Sequence, residues 1–119
     1  MKKLLTLTAI FEGTTGLALM AVPNFVVSLL LGTTLNETAG IFVTRLTGVA
    51  LIALSVVCWL YRNSKQDGSG IIKAMLFYNT IAAALLVVAA LSGSSGLGIW
   101  PASLLHLGLA AWCVKYLLK

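Results

Sequence analysis

Four times in 119 residues the chain runs on with almost nothing that water could solvate. Leu4 to Val22 holds one charged residue, Glu12, and Thr38 to Tyr61 holds one, Arg45. Ile71 to Leu91 has only Lys73 near its start, and Ile99 to Leu118 only Lys115 near its end. About 20 predominantly apolar residues are what a helix needs to cross the hydrocarbon core of a bilayer. Each run meets that length. Composition agrees, with 60% hydrophobic and 9% charged residues, against about a quarter charged in soluble domains. Too little polar surface exists to coat a water-soluble globule, so the partner that solvates this chain is the lipid bilayer.

The breaks between the runs carry turn chemistry. Pro23 closes the first run, RNSKQDGSG (Arg62 to Gly70) separates the second from the third, and SGSSGLG (Ser92 to Gly98) separates the third from the last. The predicted fold is all-α, a transmembrane four-helix bundle forming a single integral membrane domain over 1–119. Its spans fall at about 4–22, 38–61, 71–91 and 99–118. Internal repeats are not evident, because the polar residues of the two halves do not correspond, and an inverted-repeat transporter is not supported.

Basic residues set the expected direction. Lys2 and Lys3 precede the first span, Arg62, Lys65 and Lys73 flank the second loop, and Lys115 and Lys119 close the chain. All seven belong to one side, while the other offers Glu37. The positive-inside rule then predicts both termini in the cytoplasm, in a bacterial inner membrane. The net charge of +5 is therefore a topology signal. No basic cluster interleaved with aromatics points to nucleic acid. Lys2 and Lys3 ahead of an apolar stretch also resemble a signal peptide, but Glu12 interrupts its core and Leu19 occupies a position that wants a small residue. Retention of the first span is the expectation.

PNFVVSLLLG (Pro23 to Gly32) is apolar but too short to span. It is predicted as a short interfacial helix between spans one and two, with a lid over an outward-facing cavity as the alternative reading. Asn36-Glu37-Thr38 matches a glycosylation sequon, which carries little weight in a chain read as bacterial. Cys58 and Cys113 lie inside apolar runs without metal-ligand spacing and are expected to be free thiols packed as small hydrophobes. Trp100-Pro101 suits an interfacial first turn. Trp59, Tyr61, Trp112 and Tyr116 form the matching aromatic belt at the other end.

With the helix ends set aside, each span retains one awkward polar residue: Glu12, Arg45, Asn79 and His106. A charge stranded in lipid costs a few kcal/mol or more, so such residues turn inward, pair or snorkel. Helical spacing gives each a small-residue neighbourhood. Thr8, Glu12 and Thr15/Gly16 share a face, Gly40, Thr44 and Gly48 form a ridge beside Arg45, Asn79 accompanies Ala82, Ala83 and Leu86, and Ser103, His106, Ala110 and Cys113 align. At about 1.5 Å per residue, Glu12 and Asn79 stand roughly 12 Å above the basic end and His106 roughly 16 Å. Arg45 stands roughly 25 Å up by the same rise, so a direct Glu12–Arg45 pair would require a register shift. The four are the candidate ligand-binding polar centre. The plainer reading of each is structural: a hydrogen-bonded carboxyl, a snorkelling arginine, interhelical amide glue and a satisfied histidine.

The sequence E-x-T-T-G-L-A-L, P-x-x-V-V-x-L-L-L-G, R-L-T-G-V-A-L-I-A-L-x-V-V-C-W-L-Y-R, Y-N and W-P-A-x-L-L-H resembles a group of small, uncharacterised bacterial four-span proteins. In size and layout it is also distantly similar to DoxX-type membrane proteins. The resemblance implies the four-span architecture and transfers no role to any residue.

Three functions compete. The first is a non-enzymatic protein whose polar centre binds a small or amphiphilic ligand or supports a membrane partner protein. The second is an enzyme acting on a lipid or isoprenoid, with Glu12 and His106 as acid and base at one depth, although no phosphate loop, HExxH, paired Asp motif or CxxC is present. The third is a proton-linked transporter acting as a homo-oligomer, with Glu12 as carrier. No metal or cofactor is implied. One histidine cannot supply both axial ligands of a haem, and Met20 or Met75 would have to be the second.

Overall fold

The computed structural model describes residues 1–94 and 96–119. Among these residues five helices follow one another: α1 (Lys2–Ala21), α2 (Pro23–Leu31), α3 (Thr38–Tyr61), α4 (Ser69–Leu91) and α5 (Ile99–Leu117). Among the described residues there is no strand. Three helices, α1, α3 and α4, are long and apolar enough to cross a membrane. The expected fourth, α5, has 19 residues. Trp100, Pro101, Ser103, His106 and Lys115 interrupt its apolar run.

Proline and glycine set the boundaries. Pro23 has no N–H to continue α1, so the chain turns at Val22 and restarts with proline in the first turn of α2. Gly32 ends α2 in the left-handed conformation, φ 70°, which a side chain would strain. Asn24 Oδ1 then accepts the Leu35 N–H at 2.8 Å and pins the return toward α3.

The helices associate as two close pairs, α1 against α3 and α4 against α5. Small residues make the first pair possible. A Cβ built on Gly16 would stand 2.6 Å from the Gly48 carbonyl oxygen, and one on Gly48 would stand 2.6 Å from the Gly16 carbonyl oxygen. Two turns further along, Ser55 Oγ donates to the Ala9 carbonyl at 2.6 Å beside Gly13. The ridge read from the sequence as Gly40, Thr44 and Gly48 thus meets α1 through Gly48, whereas Gly40 faces Leu35.

The pairs close on one another at the end that holds both termini. Leu4, Leu5 and Ala9 of α1, Cys58 of α3, Ile72 and Met75 of α4, and Leu109 and Cys113 of α5 form one buried cluster, with Met1, Tyr116 and Leu117 packed on it. Both cysteines are free and buried. Lys2, Lys3, Arg62, Lys65, Lys73, Lys115 and Lys119 belong to the segments around this base. Arg62 donates to the Trp59 carbonyl and lies 3.4 Å over the Trp59 ring centroid, a cation–π seat.

At the opposite end the core is thin. Leu19, Val26 and Leu51 form a small separate cluster. Here α2 runs across the mouth and ties the pairs together. The Gly98 N–H donates to the Leu29 carbonyl at 2.7 Å, and Gly96 lies so close to the backbone of Leu29 and Leu30 that no side chain would fit.

Candidate functional site

Three of the four polar residues read from the sequence meet at the junction between the helix pairs, and a fourth member joins them. Glu12, 3% exposed, sits on the inward face of α1 with Thr8 and Gly16. Its Oε2 accepts the Tyr78 hydroxyl of α4 at 3.0 Å. Asn79, fully buried, follows Tyr78 by about 100° around α4 and so faces α5. Its Oδ1 stands 2.8 Å from His106 Nδ1, while its Nδ2 donates to the Met75 carbonyl one turn back at 2.8 Å. The Tyr78 and His106 rings meet edge to face, 5.6 Å between centroids at 80°, an arrangement favoured by the ring quadrupoles. Hydrogen bonds and ring contact therefore join α1, α4 and α5 through Glu12, Tyr78, His106 and Asn79.

Tyr78 escaped the sequence reading because a tyrosine inside an apolar run passes for packing or for an interfacial anchor. The signal that could have found it is adjacency. A hydroxyl-bearing ring beside a buried asparagine, at the depth of Glu12, cannot sit at an interface and needs a polar partner.

Arg45 stands apart. It is exposed on α3, and the antiparallel pairing of Gly16 with Gly48 sets it opposite residues near position 19 of α1. That is about 10 Å beyond Glu12 along the bundle. The α1-facing side of α3 carries Gly48, Leu51 and Ser55, and position 45 is roughly 85° round from its centre. Arg45 accordingly leaves the candidate polar centre.

Above this junction the pairs diverge around a cleft of about 550 Å³. Thr15, Ala18 and Leu19 of α1 face Ala82, Leu85 and Leu86 of α4 across it, and Ala102 and Leu105 of α5 complete that wall. Leu51 lies on the α3 side, and Phe25, Val26, Leu29 and Leu30 of α2 close the far end. Tyr78 and His106 line it at the base end. The cleft is mostly apolar, with Tyr78 and His106 at its base end and the hydroxyls of Thr14 and Thr15 on the α1 wall, and it is within the size range of small-ligand sites. The short segment read as an interfacial helix, or alternatively as a lid, thus forms one wall of a cavity.

Ser103 and Thr8 mark the limits of the polar zone. Ser103 is buried and returns its hydroxyl to the Ile99 carbonyl at 2.7 Å, so it is locally satisfied. Thr8, one turn from Glu12, is buried with its hydroxyl unpartnered among the described residues. Among those residues no three His, Cys, Asp or Glu side chains converge as a metal site would require.

The fold and site define a helical membrane protein with a polar junction beneath an apolar cleft. No family model, curated protein or solved structure matches the chain.

Proposed function

We propose that the protein is a four-span inner-membrane protein of bacterial type, with both termini in the cytoplasm, that binds a small amphiphilic molecule in the cleft between its helix pairs. The carrying observation is the pairing of an apolar cleft with Tyr78 and His106 at its inner end. Several features support the membrane placement. The bundle is 46 Å along its longest axis, against about 40–45 Å for a bilayer with its headgroup regions. Helix α5 lies along α4 and returns to the base cluster, the position of a fourth span. Seven lysines and arginines around the base make it the cytoplasmic face under the positive-inside rule.

Binding in this reading rests on burial of an apolar tail along Leu19, Val26, Leu51 and Leu86, with the head held at Tyr78 and His106. Glu12 and Asn79 hold those two side chains in place and do not themselves line the cleft. Native mass spectrometry of protein exposed to membrane lipid extract tests the idea. Wild-type protein retains adducts, and Ala82→Trp, which fills the cleft without touching the hydrogen-bond network, loses them. A wild type without adducts, or an Ala82→Trp variant with the same adducts, sinks the reading.

A further inference from the structure

The proton positions in the polar junction can be worked out from a backbone carbonyl, and they select the head of the molecule that the cleft would take. The Met75 carbonyl accepts from Asn79 at 2.8 Å. A carbonyl can only accept, so the amide group facing it is Nδ2 and the group facing His106 is Oδ1. That oxygen can also only accept, so His106 Nδ1, 2.8 Å away, carries a proton. Among the described residues no carboxylate is bonded to the ring, so in this apolar setting the imidazole stays neutral, and a neutral imidazole has one N–H, which leaves Nε2 with a bare lone pair. Tyr78 has one hydroxyl hydrogen, and it is committed to Glu12 Oε2, so its oxygen offers only lone pairs to a ligand. Tyr78 and His106 therefore both face the cleft as acceptors.

We propose that the occupant is a single-chain amphiphile with an uncharged head that donates hydrogen bonds, a hydroxyl or a primary amide, to His106 Nε2 and the Tyr78 oxygen. This rests on the cleft being the binding site. A carboxylate or phosphate head placed at Tyr78 and His106 would meet two acceptors; of the hydroxyls that also line the cleft, Thr14 is committed to the Ile10 carbonyl at 2.8 Å and Thr15 offers one neutral donor. An ammonium head would donate, but no carboxylate lines the cleft to offset its charge, and an unpaired charge in so apolar a setting is costly. Asn79 is a positioning residue here, because it fixes the histidine tautomer without lining the cleft.

The chain holds one histidine, which makes the test direct. Protein labelled with ¹⁵N-histidine, in phosphatidylcholine nanodiscs at neutral pH, is read by two-bond proton–nitrogen correlation. Nδ1 is expected in its protonated position and Nε2 in its bare one. Addition of 1-dodecanol moves the Nε2 resonance, and the alcohol binds at least about tenfold more tightly than methyl undecyl ether of matched length. Dodecanoate binds no better than the ether. A protonated Nε2, or equal binding of alcohol and ether, overturns the donor-head proposal and leaves the cleft reading standing. Absence of binding by either, with Ala82→Trp behaving like wild type, removes both.

Discussion

Helix α1 has two interfaces, and they are built on opposite principles. Toward α3 it offers Gly13 and Gly16, and the backbones approach until carbonyl oxygens lie where side chains would begin. Toward α4 and α5 its contact is made by side chains: apolar ones at the base, the Glu12–Tyr78 bridge at mid-height, and an open cleft beyond. In lipid no hydrophobic effect drives helix against helix, so close van der Waals contact and interhelical hydrogen bonds must do so. The α3 interface spends its small residues on the first, and the α4/α5 interface depends on the second. A contact made by backbone is fixed in separation, whereas one made by side chains can leave space beside itself. That is why the cleft lies on the second interface.

The largest expected effect comes from breaking the first interface. Gly16→Ile places branched atoms against the Gly48 carbonyl, where neither backbone can give way, and costs about 3 kcal/mol. Steric-trapping or denaturant titration in bicelles measures it. Gly48→Ile should behave alike, and the double variant should cost less than the sum because both insult one contact. An unperturbed Gly16→Ile would mean the pair is held by something other than close approach.

On the second interface, Asn79→Leu removes the partner of His106 Nδ1 and frees the Met75 carbonyl. The expected loss is about 1–2 kcal/mol, since interhelical hydrogen bonds in membranes are worth less than burial alone suggests. Tyr78→Phe removes one hydrogen bond and keeps the ring contact with His106, so it should cost less. If Asn79→Leu matched Gly16→Ile in cost, the two interfaces would not differ in kind.

One member of the first interface, Gly48, and half of the second were legible in the sequence. The limits of α1, α3, α4 and α5 followed from apolar runs bounded by Pro23, Arg62–Gly70 and the Ser92–Gly98 break, because proline, glycine and polar clusters interrupt a helix wherever they fall. Glu12, Asn79 and His106 were expected at one level, and rise per residue was sufficient for that. Arg45 was expected higher, and it is. What rise cannot give is rotation about the helix axis. Gly48 turns toward α1, and Arg45, three residues earlier, turns off that face. The partner of Gly48, Gly16, was legible only as a small residue on the Glu12 face. The cleft left no sequence signal, since it arises where side chains fail to meet.

Thr8→Val sharpens the contrast in the opposite direction. Thr8 faces the buried side of α1 with its hydroxyl unpaired among the described residues, and a buried hydroxyl without a partner is a cost. Exchange for a methyl of the same shape should stabilise the protein by up to about 1 kcal/mol. A destabilised Thr8→Val would show that the polar junction extends one turn further toward the base than its hydrogen bonds do. Arg45→Leu belongs to neither interface and should change stability by less than about 0.5 kcal/mol, read in the same titration. A loss comparable to Asn79→Leu would return Arg45 to the polar centre.

The smallest expected effect lies in the loop that joins the two pairs, and pH reads it. Asp67 Oδ1 accepts the Ser69 N–H at 2.9 Å and Oδ2 accepts the Ser69 hydroxyl at 2.8 Å, at the start of α4. The backbone N–H of Ser69, then its hydroxyl, hold the Asp67 carboxyl below its ordinary value, with Lys73 adding to the effect. A group depressed in the folded state contributes stability above its unfolded value, about pH 4, and that contribution is lost as pH falls through the folded one. Because Asp67 is fully exposed, salt and water screen the effect. Melting in detergent should therefore show a shallow decline on acidification below about pH 4 that Asp67→Asn flattens. A decline that survives Asp67→Asn would trace to a carboxyl elsewhere. Its disappearance in Glu12→Gln would then place the acid-sensitive contact on the second interface, where a single carboxylate joins α1 to α4.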